Sequence, residues 1–451
     1  MPALLSILVL LISAIVVVLR SPERAFLGVY LPVLMLIPDG YSWGNPSLTL
    51  YEFAIIPLGI ALCLQILHGP RWRWSITDLC VLAYLVWTVV SQFHANGRIG
   101  IFNHIVHLFT LNVFPYMAGK LLIEQKGLRV ALMKRTVFFV FLACSLCIFE
   151  FRLGVNPLRQ VFDWIFSVED PWPTQLRYGF GRASGTFGHA ILMGTIVGIA
   201  LLLNRYLSYF NLWDSWRLQL FSRIRFKKED LIAAALLASS AMTLSRGPWI
   251  ATFVGFVVMS IGTARDQWAG LRRMLLVFVC AGAGIYFGSL LYSNVSQHRE
   301  SGEDVASAVY RVRLLNEYSD IASVRSLWGW GNRQWPEVKG LVSIDNWYLL
   351  EVLTYGIPGG CLFVGMLVIP GVRMISAGFT DPALSKNLRA LFFLHLGIVA
   401  LIAVSVSTVF LGSQLFPLFF LFTGWGDACL LLRVKPIPLA PTFAFRPLVA
   451  H

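Results

Sequence analysis

Charge is what this chain of 451 residues has least of: Asp, Glu, Lys and Arg together make up 13% of it, against ~25% in a typical soluble domain. That shortage excludes a disordered chain and a coiled coil, both of which depend on charged faces. Disulfide and zinc patterns are missing as well. The seven cysteines (Cys63, Cys80, Cys144, Cys147, Cys280, Cys361 and Cys429) all fall in apolar segments, so no disulfide scaffold or metal-ligand spacing is visible. Cys144 and Cys147 form a CxxC, but inside VFFVFLACSLCIFEF they read as core residues and not as a redox pair. The chain has no nucleotide-binding signature, no HExxH and no DxD pair, which argues against a cytoplasmic nucleotide-sugar enzyme. Internal repeats, low-complexity tracts and a soluble domain are also absent.

What the chain has in abundance is apolar length. Hydrophobic residues make up 57%, mean hydropathy is +0.70, and several runs reach the ~20 residues needed to cross a ~30 Å hydrocarbon layer. The expected fold is all-α: a polytopic transmembrane helical bundle of about 12–13 spans, with runs at 3–19, 25–38, 50–67, 76–93, 99–119, 132–151, 185–204, 230–244, 247–263, 274–292, 345–372, 389–410 and 414–432. Ala3 to Leu19 has no basic stretch before it and no small-residue cleavage site after it, so it reads as a retained first span. The net charge of +13 is spread through short loops, which fits topology and not a nucleic-acid partner. One set of alternate gaps holds 24 of the 36 basic residues, and the two long loops 152–184 and 293–344 hold ten of the others. Long loops translocate with little regard to charge, so both are expected outside, with the N-terminus outside and the C-terminus inside. Residues 1–451 read as one membrane domain. In the large loop, Val305, Val309, Val312, Leu315 and Tyr318 recur at three- and four-residue intervals, the pattern of an amphipathic helix lying over the outer mouth of the bundle.

An ionised group in mid-span is costly, and few are found there: Glu52, His104, His107 and His395. His104 and His107 share a helical face, and a structural pair bonded to neighbouring helices is the expectation ahead of a proton relay. Asp78, Glu150 and Asp427 lie near span ends and are expected at the interface. The outer side is richer. Arg177 and Arg182 precede GTFGHA, Arg246 sits in SRGPW, Arg311 and Arg313 lie in the large loop, and Asp345 and Asn346 open the eleventh expected span. Five arginines and a carboxylate on one side point to a phosphorylated, lipid-attached substrate, because the planar guanidinium fork binds phosphate oxygens in bidentate fashion and stays charged.

Four stretches carry a resemblance: GRASGTFGHA at 181–190, TLSRGPWIA at 243–251, YRVRLLNEYSDIASVRSLWGWGN at 310–332 and SIDNWYLLEVLTYGIPGG at 343–360. In this order around one large loop, they resemble the bacterial O-antigen ligase and polymerase family, integral membrane glycosyltransferases that use undecaprenyl-diphosphate-linked glycans. The resemblance covers about the second half of the chain; the first half matches only in hydropathy. It implies a GT-C-like bundle in the bacterial cytoplasmic (inner) membrane, an active site facing the periplasm, and metal-independent inverting transfer without a cofactor. By position, Arg182, Arg246 and Arg311 would hold the diphosphate, with Arg177, Arg313 and Asn346 as further substrate-binding residues. The implied partners are the lipid-linked donor glycan, an acceptor glycan, membrane lipids and a chain-length regulator protein. Where ligases commonly have His before Asn, this chain has Asp345, which looks closer to exopolysaccharide polymerases. Asp345 is therefore expected either to act as the base that activates the acceptor hydroxyl or to cap the eleventh helix, with Glu317 and Asp320 as reserve bases.

Three other readings stand beside a polymerase. A ligase that hands glycan to a lipid A core differs only in acceptor. A transporter would place its polar site at the midplane on broken, repeated helices, whereas here the polar residues gather toward the outer face. A non-catalytic envelope scaffold is the third.

Overall fold

The computed structural model describes residues 1–68, 72–98, 100–169, 174–213, 227–264, 268–272, 275, 303–332, 334–341, 343–381, 384–412 and 414–431. Its helices are α1 Pro2–Leu19, α2 Leu50–His68, α3 Ile76–Asn96, α4 Ile101–Ile123, α5 Arg129–Leu153, α6 Pro157–Phe166, α7 Ala190–Tyr209, α8 Lys228–Met242, α9 Arg246–Thr263, α10 Glu303–Val324, α11 Trp347–Thr380, α12 Lys386–Val406 and α13 Leu415–Leu431. Among the described residues, eight of these (α1 to α5, α7, α11 and α12) are long and apolar enough to cross a membrane, and α13 is a shorter apolar helix. The all-α expectation holds; the strands are two-residue pairs, Ser42–Trp43 with Leu48–Thr49 and Leu176–Arg177 with Phe180–Gly181. Apart from residue 275, the expected span 274–292 lies outside the described residues.

Several boundaries differ from the hydropathy reading, each for a local reason. The run at 25–38 is a helix with a π turn over Phe26–Tyr30 that stops at Leu36, where Ile37 turns extended ahead of Pro38; the residue before a proline is pushed out of the α region. The seventh expected span begins at Ala190 and not at 185, because His189 caps the helix by accepting from the Ile191 N–H at 3.1 Å. α4 carries π turns at Phe109–Val113 and Gly119–Ile123 on either side of Pro115, which cannot donate to the preceding turn.

α11 contains a true break. Gly356 has φ +74° and ψ 178° inside it, and the loop that precedes the helix docks there. Trp330 N–H donates to Leu353 O at 2.8 Å, Gly331 N–H to Thr354 O at 3.0 Å, and Ile357 N–H to Ser326 O at 2.7 Å. The carbonyls and N–H freed by the break are thus satisfied by the loop, as buried backbone groups must be. A Cβ on Gly356 would sit 2.1 Å from Leu327 O, so only glycine fits. The indole of Trp328 stacks on Trp87 of α3 at 5.0 Å, and Ser91 Oγ donates to Trp328 O.

The phase of the amphipathic helix is corrected by the structure. Leu314, Tyr318 and Ala322 of α10 are buried against Leu341, Leu349 and Leu353, with Trp335 and Val338 packed beside them. Val312 and Leu315, expected on the buried face, are 60% and 43% exposed. The stripe i, i+4, i+8 from Leu314 was hidden because apolar residues stand on two faces of the same helix.

The largest correction concerns Asp78, Glu150 and Asp427, expected at the interface but 4%, 1% and 0% exposed. Asp78 and Asp427 share one cation: Lys120 Nζ lies 2.6 Å from Asp78 Oδ1 and 2.9 Å from Asp427 Oδ2. Arg373 Nη1 donates to Asp427 Oδ1 at 2.7 Å, Tyr116 to Asp78 at 2.7 Å and Ser75 to Asp427 at 2.9 Å. α3, α4, α11 and α13 are pinned together by this network. Removing one partner leaves a buried charge uncompensated, at a cost of about 3–5 kcal/mol. Lys120→Met is therefore expected to sharply lower the yield of monodisperse protein and its thermal midpoint in detergent. The double variant Lys120→Met, Asp78→Asn, with one anion fewer, is expected to recover part of the loss; an unaltered Lys120→Met would show the network to be dispensable.

The described residues of the loops at 37–49, 97–100, 154–189, 243–245, 325–346 and 407–414 lie at one end of the bundle: Gln414 Nε2 donates to Ile37 O and Thr186 O, Asn332 N–H to Gln92, and Arg177 to Leu244 O. The basic residues of the short gaps, such as Lys120, Arg129 and Arg389, lie toward the other end. The positive-inside bias then predicts that Ser167→Cys and Ser323→Cys react with a membrane-impermeant thiol reagent in intact spheroplasts while Asn387→Cys does not; the reverse pattern would invert the topology.

Candidate functional site

The loop 181–189 is built around Glu150, at the last turn of α5. Its carboxylate accepts from the Ser184 N–H at 2.6 Å, the Gly185 N–H at 2.7 Å, Ser184 Oγ at 3.0 Å and Asn156 Nδ2 at 2.8 Å. Asn156 also donates to Gly185 O at 2.6 Å. The glycines of this stretch follow from the clamp. A Cβ on Gly181 would lie 2.0 Å from Glu150 O, and Gly185 has φ +58°, a region that non-glycine residues avoid.

From this fixed loop and its short hairpin, arginines reach the turn between α8 and α9. Arg182 donates to Ser245 Oγ at 2.9 Å and to Gln175 Oε1 at 2.7 Å; Arg177 donates to Leu244 O at 3.0 Å. Leu244 has φ +48°, Ser245 is the residue before α9, and Arg246 is its first residue. The guanidinium groups of Arg177 and Arg182 therefore sit on the turn from which Arg246 opens α9, at an end of a helix where the backbone dipole also favours anions. Arg159 of α6 joins the edge of this group through Phe187 O and, like Arg182, has a buried Nε without a protein partner. Burial and the neighbouring Arg177 lower the pKa of Arg182, and Asp345 raises it; a guanidinium stays charged throughout. Burial, Arg182 and Arg159 push His189 down to about 4, so at neutral pH its imidazole is uncharged while it caps α7.

The other expected residues are distributed differently. Asp345 accepts from Ser343 Oγ at 2.8 Å, and its charge acts on Arg182. The cap of α11 is Asn346 and not Asp345: Asn346 Oδ1 accepts from the Leu349 N–H at 3.1 Å. Tyr310 donates its hydroxyl to Ser343 O at 2.6 Å, which ties the start of the described part of α10 to the strand of chain carrying Asp345. Arg311 and Arg313 stand on exposed faces of α10. Arg313 reaches Lys339 O at 3.2 Å and Glu317 at 3.7 Å.

Residues 231–364 match the family model described as O-antigen ligase. Over this stretch the chain is similar to the O-antigen ligase family. The matched stretch contains Arg246, Arg311, Arg313, Asp345, Asn346 and the loop seated in the α11 break, and the match supports a ligase- or polymerase-type membrane function acting on lipid-linked glycans. No curated protein matches the chain. Arg177, Arg182 and Glu150 lie outside the O-antigen ligase match, yet the fold places the two arginines on its central turn.

The sequence reading missed Glu150, Asn156, Arg159 and His189. A carboxylate closing an apolar span, followed six residues later by Asn, was the available signal for the clamp. Glu150→Gln keeps the size but replaces charge-assisted acceptance from two backbone N–H groups, bonds roughly twice as strong as neutral ones, by a half-mismatched amide. It is expected to reduce glycan transfer at least tenfold, with helical content unchanged; full activity would mean that the loop geometry does not depend on this carboxylate.

Proposed function

We propose that the chain polymerises oligosaccharide repeats: it transfers a glycan from undecaprenyl diphosphate to the growing end of a second lipid-linked repeat, at the outer face of the cytoplasmic membrane. The observation that carries this reading is the convergence of Arg177, Arg182 and Arg246 on the 244–246 turn, within and beside an O-antigen ligase domain. Three guanidinium groups at one helix end suit a diphosphate, whose negative charge grows as the bond from sugar to phosphate breaks. Preorganised donors aimed at developing charge are worth about 3–4 kcal/mol each, by analogy with oxyanion holes. On this reading the arginines supply the positive charge that a metal would otherwise bring, and the attack inverts the anomeric carbon. Arg311, exposed on α10, is assigned to the same clamp by its place in the family pattern and closes on the donor from the loop side.

Asp345 is assigned the role of base. Asn346 caps α11, which leaves Asp345 free of that duty, and its carboxylate is held by Ser343 near the arginines. A positioned carboxylate that takes the hydroxyl proton as the bond forms contributes 10²–10⁴-fold. The polymerase assignment over a ligase rests on the Asp345–Asn346 pair in place of His-Asn. Transporter and scaffold readings gain nothing from an arginine cluster at one end of the bundle.

Purified protein reconstituted with a lipid-diphosphate oligosaccharide is expected to release undecaprenyl diphosphate. Lys at positions 182, 246 or 311 keeps the charge but loses the fork and is expected to lower the rate, and Asp345→Asn to lower it by about 10²-fold or more. Normal turnover by all three lysine variants would remove the clamp, and near-native turnover by Asp345→Asn would place the base elsewhere. In cells, deletion should leave single repeats on the carrier, whereas full-length chains lacking only attachment to a core would identify a ligase.

A further inference from the structure

Beside the arginine cluster lies a cavity of about 1630 Å³, larger than the 300–1,000 Å³ usual for small-molecule sites. Its walls come from α3, α4, the start of α11 and the described residues of 332–344 and 410–416. It opens near Asn96 and Asn332 and reaches Tyr84 and Asn112; twelve residues of α3 at 1.5 Å each make this roughly 18 Å deep.

The lining has a distinct chemistry. No arginine contributes to it among the described residues, and its one described lysine, Lys339, is exposed; its other polar groups are amides, imidazoles, carboxyls and hydroxyls, interleaved with Trp335, Trp347 and Tyr355. Asn112 is 1% exposed, and its Nδ2 has no partner in the protein; the same holds for His104 Nε2 and Trp347 Nε1. Buried polar groups left unpaired cost about 1–3 kcal/mol each, and these three belong to residues of one cavity. His107 is oriented by Glu52, which accepts from its Nδ1 at 2.7 Å, and Glu351 is held by the Tyr84 hydroxyl at 3.1 Å. An alkyl chain would satisfy none of these groups, and a phosphate would find no guanidinium fork and, among the described residues, the single exposed ammonium of Lys339. A hydroxyl-rich ring presents donors and acceptors on its edges and an apolar face to an indole, which matches both kinds of wall.

We propose that this cavity seats the acceptor saccharide, bound through its hydroxyls and ring faces and not through phosphate. The inference rests on the transferase reading given above and divides the labour of that site: arginines for the donor diphosphate, the amide and imidazole cavity for the acceptor sugars. Ser343 and Ile344 line the cavity immediately before Asp345, so the chain passes directly from the acceptor wall to the assigned base.

The test uses short, unphosphorylated oligosaccharides cut from the polysaccharide of the producing bacterium, titrated into the purified full chain by calorimetry. Binding is expected, and Asn112→Leu and Asn103→Leu, each with an unchanged thermal midpoint, should weaken it about tenfold, the effect of one lost hydrogen bond to a buried partner. Undecaprenyl phosphate should not displace the saccharide. Absence of binding, affinity untouched by both variants, or displacement by the lipid would each overturn the proposal, the last by making the cavity a seat for the carrier. The probe carries neither phosphate nor lipid, so a chain that binds it without releasing undecaprenyl diphosphate in the transfer assay keeps this site and loses the transferase reading. The opposite result loses this site alone.

Discussion

A carboxylate in hydrocarbon must be paired within the protein, because neither lipid nor water is there to solvate it. This chain buries several, and they link α2 to α4, α4 to α5 and α13, and α3 to α4, α11 and α13. Asp78 and Asp427 share Lys120, and Asp427 also pairs with Arg373. Glu124 accepts from Arg129 Nε at 2.8 Å and from Trp425 Nε1 at 2.7 Å, and Glu52 holds His107, Thr110 and the Thr49 N–H. Each charge finds its partners on a different helix, so the need to neutralise it becomes a constraint on which helices meet and in what register. Net stability from such pairs is small; their effect is to make wrong arrangements expensive.

Close approach of backbones supplies the attraction that the hydrophobic effect cannot provide between helices already in an apolar solvent. A Cβ on Gly397 would lie 2.6 Å from Gly255 O, and one on Gly255 2.9 Å from Gly397 O, so α9 and α12 touch at paired glycines. Gly119 and Gly424 do the same for α4 and α13: added Cβ atoms would stand 2.2 Å from Leu421 O and from Tyr116 O. α9 therefore begins at Arg246 on a helix that can neither slide nor tilt freely. A cationic cluster built on that helix end is held in advance of any ligand, the condition under which electrostatic stabilisation costs no reorganisation.

Hydropathy made the bundle legible because membrane spans announce themselves by length, and the arginines drew notice because they gather on the side that holds fewer of the basic residues. The rest depended on pairings that a single sequence does not display. Glu150 and Ser184 are 34 residues apart, and nothing in either stretch names the other. The phase of α10 was misread because Val312 and Leu315 are as apolar as Leu314 and Tyr318, and only the partner surface of Trp335, Val338 and Leu341 selects between them. Asp345 and Asn346 are adjacent and both can cap a helix; the choice falls to whichever side chain reaches the Leu349 N–H, a matter of backbone direction and not of residue type.

The break at Gly356 joins these strands of the argument. A helix interrupted in its middle normally exposes polar backbone, and in a membrane that is tolerated only where protein or a cavity receives it. Here the segment 326–331 receives it, exchanging hydrogen bonds with Leu353, Thr354 and Ile357, and Trp328 of the same segment is stacked between Trp87 and His94 of α3. The loop is thereby fixed at both sides, and the chain that continues from it, 332–344, forms one wall of the large cavity before delivering Asp345 to the arginines. A glycine that costs helix continuity at one point thus sets the position of one cavity wall and of Asp345, whose charge acts on Arg182. The two halves of the site are coupled through a covalent run of chain whose origin is that single backbone break.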